Sequence, residues 1–109
     1  MNTPKIVIAA LSLGVACGAN AADAAKGAEK AKQVCAACHG ETGNEAKVPG
    51  AAKIAGQYQD YLYQALRDYK TGKRKNAIMS GQAQALSDDD MRNLAAFYSR
   101  QEGSLKVVR

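Results

Sequence analysis

Residues 34–40 read VCAACHG: two alanines separate Cys35 from Cys38, and His39 follows the second cysteine directly. His39 is the only histidine among 109 residues. A redox disulfide needs the thiols but not the imidazole, and a structural zinc site needs a fourth ligand. A covalently attached haem uses all three groups, and CxxCH is the pattern typical of it.

The spacing suits two thioether bonds, one from each cysteine sulfur to a vinyl group of haem. Two small intervening residues on a tight helical turn let both sulfurs reach the macrocycle. The adjacent imidazole then lies on the iron side and supplies the proximal ligand. We therefore predict one covalent haem c, attached through Cys35 and Cys38, with His39 as an axial iron ligand.

The sequence lacks the context in which a redox disulfide or a structural zinc site usually occurs. A thioredoxin-like CxxC belongs to a βαβ unit, but the sequence after residue 22 shows no alternation of apolar and polar residues typical of strands. A closed zinc site would require a second histidine or cysteine pair, and none follows His39.

Residues 1–21 have the pattern of a secretory signal peptide. Lys5 precedes an apolar run at 6–17, and small residues follow up to Ala21, after which we expect cleavage. The run is shorter than the ~20 residues that span a bilayer; an uncleaved anchor is the alternative. We predict that residues 22–109 form one domain, exported to the periplasm and not inserted in the membrane after cleavage.

The chain is basic, with 15 Lys and Arg against 10 Asp and Glu and a net charge of +5. Loss of Lys5 with the signal lowers this charge by one. A basic surface favours acidic protein partners and speeds their encounter. Nucleic acid is not an expected partner, because no basic helix or platform of aromatic and basic residues is visible.

Helical periodicity predicts an all-α fold of three to four helices. The first two helices are expected at Asp23–Val34 and Gln59–Tyr69. A third follows Ser87, which with Asp90 forms a capping box; its apolar face comprises Met91, Leu94, Ala95 and Tyr98. Residues 40–56 and 76–86 are expected to be loops, the latter with a short helical turn at most.

The second axial ligand must be something other than histidine. Methionine is common in electron-transfer haems. Met91 lies on the apolar face of the last helix, where methionine usually fills a core, whereas Met79 lies in the predicted loop; we favour Met79, with lysine or an open site as alternatives. If His39 and Met79 both bind iron, no substrate reaches it, and the protein is an electron carrier, not an enzyme.

The sequence resembles class I cytochrome c over roughly residues 25–100, and in particular small bacterial single-haem members similar to one half of the di-haem respiratory cytochromes. The resemblance lies in CAACHG at 35–40, KIAGQ at 53–57, YLYQAL at 61–66, GKRKNAIM at 72–79 and LSDDDMRNLAAFY at 86–98.

This resemblance implies the class I cytochrome c fold, in which the N- and C-terminal helices cross beside one covalently bound haem. Gly27 would permit close approach to the helix carrying Leu94 and Tyr98. It also implies axial ligation by His39 and Met79.

Position 52 departs from the family pattern, which usually has a proline there. In the family, a backbone carbonyl at this position accepts a hydrogen bond from Nδ1–H of the haem histidine. Ala52 still carries a carbonyl, so the hydrogen bond can persist.

Lys70, Lys73, Arg74 and Lys75 form a basic segment, either a solvated turn or a docking rim for acidic surfaces of redox partners. The expected donor is a membrane quinol-oxidising complex or a dehydrogenase, and the expected acceptor is a terminal oxidase or reductase. Two alternatives stay open: a haem subunit of a larger dehydrogenase complex, and a haem enzyme or gas sensor with a labile sixth ligand.

Overall fold

The computed structural model describes residues 2–5 and 21–106. This part of the chain contains five helices and no strand, which confirms the all-α prediction: α1 (Ala24–Val34), α2 (Ala36–His39), α3 (Gln59–Thr71), α4 (Ala77–Gln84) and α5 (Asp88–Ser99). No helix among the described residues is long and apolar enough to cross a membrane. Most of the predicted signal peptide, residues 6–20, lies outside the described residues, so the boundary after Ala21 stays a prediction.

The two terminal helices α1 and α5 pack against each other, and α3 packs on α5. The predicted apolar face of α5 is confirmed, because Met91, Leu94, Ala95 and Tyr98 are all buried. They join Ala31 of α1, together with Leu62 and Leu86, in one core cluster.

Gly27 allows α1 to approach α5 closely. A Cβ at this position would lie 2.0 Å from the backbone oxygen of Asn93 and 2.9 Å from Cβ of Phe97. The expected contact with α5 is therefore confirmed, but the residues that meet Gly27 are Asn93 and Phe97 rather than Leu94 and Tyr98. Leu94 and Tyr98 face the interior and are buried.

The helix ends follow local chemistry. Asp23 caps α1 by accepting from the backbone N–H groups of Ala25 and Lys26. The Ser87–Asp90 capping box at the start of α5 is confirmed in both directions. After α3, Gly72 adopts a left-handed conformation with φ of 83°, which only glycine takes without strain.

The prediction of a loop at 76–86 is wrong for most of that segment. Residues 77–84 form the two-turn helix α4, and Asn76 caps it by accepting from the N–H groups of Ile78 and Met79. The apolar positions form no regular stripe, and only Ala83 is buried. This helix depends on its cap and on packing against α3, neither of which hydrophobic periodicity reveals.

Gly27→Ala should destabilise the protein by roughly 1–3 kcal/mol, because the new methyl group overpacks the contact between α1 and α5. Gly81→Ala is the matched control: Gly81 also lies in a helix, but a Cβ there meets nothing within 4 Å. That change should stabilise the protein by about 0.5–1 kcal/mol. Urea unfolding monitored by circular dichroism measures both, and equal effects would contradict the close-packing account.

Asp90 should make the protein acid-sensitive. Burial opposes its ionisation, but hydrogen bonds from the Ser87 backbone and hydroxyl and the charge of Lys30, 3.6 Å away, outweigh it and lower the Asp90 pKa below 3.8. The ionised Asp90 carboxylate therefore stabilises the fold above pH 3.8, and this stabilisation is lost as the pH falls through the lowered pKa of Asp90.

The free energy of unfolding, measured in urea, should therefore fall less between pH 6 and pH 3 in Asp90→Asn than in the wild type. Asp89→Asn removes the same charge from the same helical turn, but the Asp89 side chain forms no hydrogen bond or ion pair within residues 2–5 and 21–106 and acts only through its charge on Arg92. An equal effect of the two substitutions would assign the acid sensitivity to general charge instead.

Candidate haem site

The CxxCH segment forms a single helical turn directly after α1. The N–H groups of Cys38 and His39 both donate to the carbonyl of Cys35, at 3.2 and 3.0 Å. Gly40, with φ of 78°, ends the turn. Because residues three apart share a helix face, this turn presents both sulfurs on one side, and both thiols are free and partly buried.

His39 is held in one orientation by the loop that follows it. Its Nδ1 lies 2.6 Å from the carbonyl oxygen of Ala52, so the hydrogen bond expected at the position usually occupied by proline is present. A carbonyl only accepts, so Nδ1 carries the proton and the lone pair of Nε2 is available to a metal ion. The ring is buried, with 9% of its surface exposed.

The loop carrying Ala52 is itself pinned to the CxxCH turn. Lys47 N–H donates to the Cys38 carbonyl at 2.9 Å, and Glu45 N–H donates to the His39 carbonyl at 3.2 Å. Further along, Ile54 N–H donates to the Gly43 carbonyl at 2.8 Å. The position of the Ala52 carbonyl therefore follows from backbone bonds, and an alanine can serve where the family uses proline.

A cavity of about 470 Å³ lies beside this turn, within the range usual for cofactor sites. Cys35, Cys38, His39 and Met79 all line it. So does the apolar face predicted for α3, namely Leu62, Ala65, Leu66 and Tyr69. Of these four only Leu62 is buried by protein, so the apolar face of α3 serves mainly as a cavity wall.

The two methionines occupy different environments. Met79, on α4, lines the cavity and is partly buried. Met91 is 4% exposed and belongs to the core cluster; it does not line the cavity. The structure thus brings four predicted site residues to one cavity, although Met79 reaches it from a helix and not from a loop.

Tyr98 contributes a polar group to this cavity. The helical periodicity of the sequence had placed this residue on the apolar face of α5. It is 3% exposed, lines the cavity, and its hydroxyl has no hydrogen-bond partner among the described residues. Burial raises the pKa of Tyr98, which keeps the phenol protonated. Burial also raises the pKa of the neighbouring Cys35 thiol, an effect that interaction with Tyr98 partly offsets.

The zinc alternative finds no support in this geometry. Within the described ranges 2–5 and 21–106, no three histidine, cysteine or acidic side chains are grouped so that they could hold a metal ion. The features instead fit a flat, apolar group with two attachment points. Two thiols share one face of a turn, an oriented imidazole lies beside them, and apolar walls enclose the space.

Comparison with known proteins agrees with this site. Residues 22–97 match the family model described as cytochrome C oxidase, cbb3-type, subunit III. The chain is 43% identical over 99 residues to cytochrome c4 of Pseudomonas aeruginosa, covering 90% of this chain and 48% of that relative. It is 41% identical over 85 residues to cytochrome c-554(548) of Halomonas halodenitrificans, covering 75% of this chain and all of the relative.

Among solved structures, reduced recombinant cytochrome c4 from Pseudomonas stutzeri is similar, with a TM-score of 0.69 and 41% identity. That match covers 77% of this chain and 48% of the other. The chain thus spans about half the length of the cytochrome c4 relatives it matches. Members of the family carry covalently bound haem c, for which Cys35, Cys38 and His39 complete the attachment pattern.

The helical fold, the CxxCH motif and the cavity beside it all agree with these similarities. The chain therefore belongs to this family of c-type cytochromes, as a small class I member that resembles one half of a di-haem cytochrome c4.

Proposed function

We propose that the chain is a periplasmic one-electron carrier with a six-coordinate haem c, and not an enzyme. The observation that carries this proposal is that Cys35, Cys38, His39 and Met79 line one apolar cavity. When bound, haem supplies a one-electron redox couple at its iron. The protein residues anchor it, orient it and limit its access to water.

Each of the four residues has a distinct role in the proposal. Cys35 and Cys38 hold the macrocycle through thioether bonds, and His39 provides Nε2 as one axial ligand because its Nδ1 is bonded to the Ala52 carbonyl. Met79 provides the second axial ligand through its thioether sulfur. Ligation by methionine raises the reduction potential, and an apolar environment disfavours the more highly charged ferric state.

The start of α4 supports the choice of Met79. The Asn76 side chain accepts from the N–H groups of Ile78 and Met79, at 3.1 and 3.0 Å, and so fixes the first turn. This turn leaves Ile78 61% exposed while the next side chain, Met79, is partly buried at the cavity. With both axial positions filled by protein, substrates are kept from the iron.

Met79→Ala should abolish the weak far-red absorption band from methionine sulfur to ferric iron, and the reduced variant should bind carbon monoxide. Met91→Leu, a volume-conserving change in the core, should keep the band and cost less than about 1.5 kcal/mol of stability. Absorption spectra of oxidised and reduced protein measure these outcomes. If the wild type lacks the band and binds carbon monoxide at neutral pH, the sensor or enzyme alternative replaces the carrier.

A second proposal concerns the surface where electrons enter and leave. Tyr61 and Ile78 line the cavity and are 51% and 61% exposed, so they mark its mouth. The basic turn between α3 and α4 directly precedes Ile78 in sequence, and Arg74 of this turn reaches the Tyr61 hydroxyl. Lys73 and Lys75 form no ion pair within the described part of the chain, and both are exposed.

The expected basic rim is smaller than its four residues suggest. Lys70 is partly buried and donates from Nζ to the Leu86 carbonyl. Arg74 stacks on the ring of Tyr69, 4.9 Å from its centroid, and its guanidinium reaches the Tyr61 hydroxyl at 3.5 Å. These contacts leave Arg74 charged, and it is exposed at the cavity, so we assign docking of acidic partners to Lys73, Arg74 and Lys75.

Neutralising Lys73 and Lys75 together with glutamine should slow oxidation of the reduced protein by hexacyanoferrate(III), an anionic acceptor. We expect about a threefold decrease at low ionic strength, which should shrink as salt screens the charges. The control replaces Lys26 and Lys32, two exposed lysines of α1 that do not line the cavity. A similar decrease in this control would mean that net charge, not the cavity mouth, governs the rate.

For the physiological partners we propose proteins that give and take single electrons. The donor would be a membrane quinol-oxidising complex or a dehydrogenase, and the acceptor a terminal oxidase or reductase, each presenting acidic groups around its redox centre. Export to the periplasm rests on the signal-like pattern of residues 1–21. A domain that begins at residue 22 is supported by the family match, which starts at the same residue.

A permanent haem subunit is the second candidate. One observation favours it: the matching family model is described as an oxidase subunit. A carrier exchanges between partners, so its reaction with them is bimolecular and depends on salt. A subunit would instead transfer electrons at a rate independent of protein concentration.

A further inference from the structure

The hydroxyl of Tyr98 is an isolated polar group in an apolar environment. The Tyr98 Oη atom is shielded from solvent and has no hydrogen-bond partner among the described residues. It projects from the apolar face of α5, where Met91, Leu94 and Ala95 occupy the other positions. A phenylalanine would fill nearly the same volume without burying a hydroxyl, and buried polar groups are normally hydrogen-bonded.

The Tyr98 side chain cannot turn to water to satisfy this hydroxyl. A Cβ at Gly43 would lie only 2.8 Å from Cδ1 of Tyr98, so the loop backbone packs tightly on the ring. On another side, the Phe97 ring lies 4.9 Å away, centroid to centroid. The Tyr98 carbonyl also accepts from Gly56 N–H at 2.9 Å, so backbone and ring are both held.

Cys35 is the reacting group beside this hydroxyl. Its side chain packs against the core cluster that contains Tyr98, and both line the same cavity. The two groups are near enough to influence each other's pKa. A thiol can donate or accept, so the free cysteine does not define the direction of a hydrogen bond with a phenol.

Attachment of haem removes this ambiguity. The S–H group adds across a vinyl double bond: sulfur bonds to one carbon and the hydrogen ends on the other, with no external oxidant or reductant. The resulting thioether sulfur has no hydrogen and can only accept, like the sulfur of methionine. The phenol, which burial keeps protonated, is then the donor.

We propose that Tyr98 is a positioning residue whose hydroxyl donates a hydrogen bond to the thioether sulfur of Cys35. The bond ties the haem attachment point at the end of α1 to α5, so it links the cofactor to the packing of the two terminal helices. It also withdraws electron density from the sulfur, which favours the reduced haem. This inference rests on the proposed attachment at Cys35.

Tyr98→Phe tests the proposal because it removes one oxygen atom and leaves the ring. In the holoprotein we expect the unfolding equilibrium constant to rise about fivefold, the loss of one buried hydrogen bond. The C–S stretching band in the resonance Raman spectrum should shift, and the reduction potential should fall. Tyr69→Phe is the matched control, since it removes the same atom from another tyrosine that lines the cavity.

The outcomes separate this inference from the proposed function. If Tyr98→Phe leaves the C–S band in place, the hydroxyl has no bond to the thioether and the proposal is overturned, whatever the stability. An unfolding constant that falls would likewise show that the hydroxyl has no partner. If purified wild-type protein carries no covalent haem, the proposed attachment itself fails, which the absorption spectrum of the denatured protein reveals independently.

Discussion

The close contact between α1 and α5 at Gly27 is the constraint on which the rest of the structure depends. It brings the end of α1, and with it Cys35, beside the face of α5 that carries Leu94 and Tyr98. Any side chain larger than hydrogen at Gly27 would push the helices apart, because the carbonyl of Asn93 occupies that space. One wall of the cavity therefore depends on a residue that does not line it.

A second constraint orients the histidine. The loop after the CxxCH turn folds back on that turn through backbone hydrogen bonds, and this places the Ala52 carbonyl 2.6 Å from Nδ1 of His39. Since the acceptor is a backbone atom, side-chain identity at position 52 matters only through the conformation of the loop. The same loop packs Gly43 on the Tyr98 ring, so the histidine and the buried phenol are positioned by one segment.

Sequence patterns predicted the elements whose determinants are local. α1, α3 and α5 have regular apolar spacing and recognisable ends at Asp23, Gly72 and Ser87. α4 was missed because its apolar residues show no helical stripe. Its stability comes from the Asn76 cap and from contact with α3. The hydroxyl of Tyr98 was missed because periodicity records only that the position is interior, not what the side chain meets there.

The sequence by itself determined the attachment chemistry, because Cys35, Cys38 and His39 lie within one helical turn and their mutual geometry is local. It also determined the helical class and the apolar face of α5. The tertiary structure decided that Met79 and not Met91 lines the cavity, that Lys70 and Arg74 are engaged by other groups, and that Tyr98 lies beside Cys35. These relations join residues far apart in the chain, so they arise from how the helices and the loop pack and not from any local pattern.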